Sequence, residues 1–227
     1  KYSQAMSYVN KALSVEPNNR RLIDMQNDLM LVMGQKTVIS TNYTNGNETF
    51  LEAENLRFAR DYSKAILLYK KNIQQNPNFA PNYLGLALAN YEMKNFQEAK
   101  NNLDIYLNKE PKSDFAFMVR AKTNMNLGET QSALRDIKSA DALFSNPEYK
   151  LNEAIILSEM GKYQQARDIL NPLSENLHTF LIFKYLGICD YKLGDYKSAV
   201  LNFDRALILF EDDKTILPMY NEAKRRI

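Results

Sequence analysis

The chain has 227 residues, 45% of them hydrophobic and 25% charged, which is enough apolar material for a substantial core. Its 29 basic and 27 acidic residues nearly balance, which argues against a dedicated binder of nucleic acid or of an anionic membrane. One cysteine and one histidine exclude an intrachain disulfide framework and a multi-cysteine zinc site, and leave little material for acid–base chemistry. No apolar run reaches the roughly 18 residues of a membrane-spanning helix.

In chain order, residues 1–15 read as the second helix of a two-helix unit entered midway, so the sequence is expected to be a fragment of a longer protein. Residues 20–33 carry apolar side chains at helical spacing and read as an amphipathic helix. Residues 34–48 are polar and contain helix breakers, which reads as a loop or linker, with a tight turn favoured at Asn45-Gly46. Two formal glycosylation sequons start at Asn42 and Asn47, and both read as part of an asparagine-rich loop.

A repeat dominates the remainder. Ala5, Ala65, Ala99, Ala133, Ala166 and Ala199 stand 60, 34, 34, 33 and 33 residues apart, five of the six preceded three residues earlier by Tyr or Phe and the other by Thr130. Gly128, Gly161 and Gly194 each lie five residues before an alanine of the series, and Pro17, Pro77 and Pro111 each lie twelve after one. Each unit reads as two helices. The glycine suits the left-handed residue that ends the first helix, Asp61 or Asp195 caps the second, and the proline closes it. Ala87, Ala121, Ala154 and Gly187 on first helices are expected to face Ala99, Ala133, Ala166 and Ala199 on second helices, where small side chains let helix axes approach to roughly 8–9 Å. Pro172 falls inside a second helix, which is expected to be short or kinked there.

This period and pattern resemble the tetratricopeptide repeat family. The clearest unit runs from Tyr185 to Leu207, with Leu186-Gly187 in the first helix, the turn Gly194-Asp195-Tyr196, and Ala199 and Ala206 in the second helix. Thr130 departs from the pattern at the turn, and Asn72, Tyr106 and Leu173 depart at the later alanine. The resemblance implies an all-α fold, a right-handed α-solenoid of helix-turn-helix repeats with a C-terminal capping helix. Residues 1–33 then close an upstream array, 34–48 form a loop, and 49–212 hold about five repeats (49–79, 80–113, 114–146, 147–179 and 180–212). Residues 213–227 form the cap, with Lys224, Arg225 and Arg226 where a helix C-terminus accepts positive charge. A second architecture also fits, in which one repeat has lost its second helix and a single array continues through 34–48.

For function, the residues offer no catalytic constellation, metal site or cofactor loop. Cys189 reads as a buried, inert thiol and His178 as a lone loop histidine. The resemblance implies a groove lined by first helices that receives a protein or peptide partner. Its positions here are Leu84, Leu88 and Tyr91, then Met118, Lys122 and Met125, then Leu151, Ile155 and Ser158, then Lys184, Ile188 and Tyr191. The lining is mostly apolar and suits an amphipathic helix or an extended peptide with apolar anchors. Met118 and Tyr185 stand where chaperone-tail binders of the family carry polar or basic side chains, so no acidic chaperone tail is expected to bind. The expected role is a non-catalytic scaffold inside a larger assembly, with no nucleic acid and no membrane span. Two alternatives stay open: a regulatory or targeting region of a longer enzyme-containing protein, and a self-associating scaffold.

Overall fold

The computed structural model describes residues 2–15, 22, 23, 25, 26, 29, 48–211 and 213–227. Twelve helices and no strand occur among them: α1 (Tyr2–Val15), α2 (Glu48–Phe58), α3 (Tyr62–Gln75), α4 (Ala80–Glu92), α5 (Phe96–Lys109), α6 (Asp114–Asn126), α7 (Thr130–Leu143), α8 (Pro147–Glu159), α9 (Tyr163–Asn176), α10 (Phe180–Leu193), α11 (Tyr196–Leu209) and α12 (Leu217–Arg226). The helix expected over 20–33 lies mostly outside the described residues. Positions 22, 23, 25, 26 and 29 are helical, and Ile23 is buried. Of the expected loop over 34–48 only Glu48 is described, and it opens α2; Asn42 and Asn47 lie outside.

The chain forms two compact units, Lys1–Leu127 and Gly128–Ile227, and the division falls inside the stretch read as the repeat 114–146. In the first unit α2 pairs with α3 and α4 with α5, while α3 packs on α4 and α5 on α6. In the second, α8 pairs with α9 and α10 with α11, α7 packs on α8, α9 on α10, and α12 on α11. The first helices also touch one another, α2 to α4 to α6 in one unit and α8 to α10 to α12 in the other.

Local chemistry explains the hairpins. Side-chain oxygens of Asp61, Ser113, Asn146, Thr179 and Asp195 accept from the free amides of Lys64, Ala116, Glu148, Ile182 and Ser198 at helix starts. Left-handed residues end the first helices, at φ +77° for Gly128, +75° for Gly161 and +83° for Gly194. The same position holds Arg60 (φ 62°) and Lys94 (φ 60°), where a Cβ makes this conformation unfavourable. Lys94→Gly is therefore expected to stabilise the first unit by up to about 1 kcal/mol in urea unfolding. A destabilisation would show that Lys94 contributes more through its side chain than its backbone costs.

Packing follows the alanine register. Ala65, Ala99, Ala133, Ala166 and Ala199 are all completely buried. Four residues further on, Tyr69, Leu103, Ile137, Leu170 and Phe203 are the large side chains of the interior. At Gly187, expected to face Ala199, the nearest atoms belong to Phe203, one turn further along α11: an added Cβ would lie 2.5 Å from that ring. Pro172 does not shorten its helix, since α9 spans 14 residues like α7 and α11. Proline deprives only the Asp168 carbonyl of its helical donor, and Pro172 and Asp168 are both exposed, so water can satisfy that carbonyl.

Candidate functional site

The twelve expected groove positions sit on α4, α6, α8 and α10, six in each compact unit. In the first unit Leu84 and Met118 are buried, so they belong to the core, while Leu88, Tyr91, Lys122 and Met125 are half-buried. Tyr91 meets the ring of Phe96 edge-on at 5.6 Å, and burial raises its phenol above the ordinary tyrosine value.

In the second unit Ser158 is buried, and its hydroxyl lies 3.9 Å from the Cys189 thiol. Burial pushes that thiol up to about 11, so Cys189 is protonated at neutral pH and inert as a nucleophile. Leu151, Ile188 and Tyr191 are half-buried against the core of α8 to α12. Ile155 is half-buried on α8. Tyr191 repeats the edge-on contact of Tyr91, here with Tyr196 at 5.8 Å, and donates to Glu222 of α12 at 2.6 Å.

Lys184 is tied down. Its ammonium donates to Asp213 at 2.7 Å and to Thr215 at 2.8 Å, and it lies 5.4 Å from the Phe180 ring centre. Burial alone would raise the Asp213 carboxyl, but hydrogen bonds from Lys184 and Thr215 outweigh it and hold the group below the usual carboxylate value. Lys184 and Tyr191 thus anchor the C-terminal segment where a further first helix would lie. Register alone identified them as first-helix positions but gave no sign that Asp213 and Glu222 occupy them.

Two features lie outside that face. Asp190 is buried on α10 and accepts from Asn202 at 2.8 Å and Arg167 at 3.3 Å, linking α10 to both α11 and α9. A cavity of about 470 Å³ opens beside the α9–α10 loop, lined by residues that include His178, Phe183 and Arg205. Among the described residues no group of three or more His, Cys, Asp or Glu is placed to hold a metal ion, and no helix is long and apolar enough to cross a membrane.

The comparisons with known proteins agree on the repeat. The family model for the tetratricopeptide repeat matches residues 82–113, which take in α4 from its third residue, the turn after it, α5 and the residues that lead into α6. No curated protein matches the chain in sequence. Among solved structures the chain is similar to MamA, with 20% identity and a TM-score of 0.63 over 77% of this chain and 97% of that one. It is similar to YrrB, described as a TPR protein with an unusual peptide-binding site, with 17% identity and a TM-score of 0.68 over 81% and 94%. It is also similar to a chain of the APC/C hetero-tetramer Cut9–Hcn1, with 16% identity and a TM-score of 0.70; all of this chain is covered but only 46% of that one. At these identities the likeness concerns the fold. Residues 82–113 thus match a tetratricopeptide repeat, and the alanine register, the left-handed turns and the stacked hairpins of both units give the all-α repeat fold that these solved structures share.

Proposed function

We propose that this chain is a non-catalytic scaffold that holds a segment of another protein against its first helices. The observation that supports this reading is the row of first helices in each unit, touching one another and presenting half-buried apolar side chains at matching register. In the first unit these are Leu88, Tyr91 and Met125 beside Lys122, and in the second Leu151, Ile155 and Ile188. Half-buried apolar groups lose water on contact with a partner's apolar anchors, without any rearrangement of the core. Methionine at position 125 can repack around different anchors. YrrB, which shares the fold, is described as having an unusual peptide-binding site, which supports peptide binding as the role of this chain.

The test is partner capture by the purified chain, with the captured segment then measured by titration. Leu88→Glu combined with Met125→Glu, and separately Ile155→Glu, are expected to weaken binding by about tenfold or more, since each places a charge against an apolar anchor. Helix content should stay unchanged because these side chains are not fully buried. Met118 is unsuitable for this test, because a charge at a buried position would unfold the unit. Binding that survives all three changes removes the first helices as the binding face.

A further inference from the structure

The outer face of the last repeat differs from its neighbours in the same unit. At two matching positions the second helices carry Arg135 and Ala142 on α7, Asp168 and Glu175 on α9, but Leu201 and Ile208 on α11. Leu201 is 52% exposed and Ile208 78% exposed. Ile208 is one of the residues that line the 470 Å³ cavity, together with Phe183, Glu175 and Arg205. The Arg205 guanidinium lies 5.5 Å from the centre of the Phe183 ring. Among the described residues neither Arg205 nor Glu175 forms an ion pair.

One patch thus holds a projecting aliphatic side chain, a hollow with an aromatic wall, a cation and an anion. This combination is self-complementary, as a two-fold interface requires, because each copy offers both halves of every contact from the same surface. We propose that two copies of this chain pair through the outer face of α9 and α11. Ile208 of each copy enters the cavity of the other, and Arg205 meets Glu175 of the partner subunit. The exposed Leu201 extends the apolar area. This pairing leaves the first helices of the second unit open, so it is independent of the face they present.

Sedimentation velocity of the full chain over a range of concentrations tests the proposal. The wild type is expected to shift from monomer to dimer with concentration, and Ile208→Glu to weaken that step by about tenfold or more. Arg205→Glu and Glu175→Arg are each expected to weaken it by about tenfold, and the double variant to return within about threefold of wild type, because the swapped charges again face each other. All these side chains are exposed, so helix content measured alongside should not change. The groove variants Leu88→Glu and Ile155→Glu should leave the dimer intact, which separates failure here from failure of the scaffold reading. A chain that stays monomeric at every concentration overturns the proposal. So does a dimer that Ile208→Glu leaves intact, a charge swap that restores nothing, or a patch that binds a different polypeptide while the chain remains monomeric.

Discussion

Truncating Phe203 to alanine is expected to destabilise the last repeat by about 3–5 kcal/mol. Phe203 is completely buried, its ring lies against Gly187 of α10, and it meets Tyr220 of α12 edge-on at 6.3 Å. One side chain therefore joins three helices, and its removal leaves a cavity that rigid helices cannot close. Hydrogen exchange should locate the loss in α10, α11 and α12, because repeat stability is a sum of local terms. The converse change, Gly187→Ala, is expected to cost about 1–3 kcal/mol, since the new methyl group would sit 2.5 Å from the ring. Other repeats show how to relieve it: the same two positions hold Ala87 with Leu103, and Ala154 with Leu170. Gly187→Ala with Phe203→Leu should therefore cost less than the sum of the two single changes, by about 0.5 kcal/mol or more. Strict additivity would show that the two side chains do not meet.

Arg167→Met is expected to cost about 3 kcal/mol near neutral pH, because it leaves the buried Asp190 carboxylate with Asn202 as its remaining side-chain donor. Burial raises the Asp190 carboxyl above the ordinary value, and hydrogen bonds from Asn202 and Arg167 oppose that rise. Without the guanidinium the group moves higher still. A carboxyl raised in the fold binds its proton more tightly folded than unfolded. Its penalty is thus absent below the unfolded value of about 3.9 and grows as pH rises through the folded one. The stability difference between variant and wild type should be small in acid and largest at neutral pH. An equal difference at both would show that Arg167 contributes through packing of its stem and not through its charge.

The repeat was legible because its signals are chemical necessities repeated in one register. Alanine marks buried positions of the second helices, glycine the left-handed turns, and Asp61 and Asp195 two of the caps, and each is found where the spacing places it. Arg60 and Lys94 adopt the same left-handed turn without announcing it, since hairpin geometry overrides their preference. Pro172 does not shorten its helix, because an exposed position lets the helix run on past it. The ends of the candidate face were the least legible. Lys184 and Tyr191 look like free lining residues in sequence, and only the return of the C-terminal segment shows Asp213 and Glu222 against them. Leu84 and Met118 share a helical face with Leu88 and Lys122, and periodicity alone does not separate a half-buried position from a buried one. The outer patch was present in the register as Leu201 and Ile208, but its meaning required the cavity beside them.

The central claim is that the first helices hold another polypeptide, and site-specific photo-crosslinking tests it most directly. A photoreactive amino acid placed in turn at Leu88 and Ile155 on first helices, and at Gln97 and Arg135 on exposed positions of second helices, reports which face touches the partner. The account predicts adducts with a partner from Leu88 and from Ile155 and none from Gln97 or Arg135. Adducts confined to Gln97 and Arg135 would contradict it.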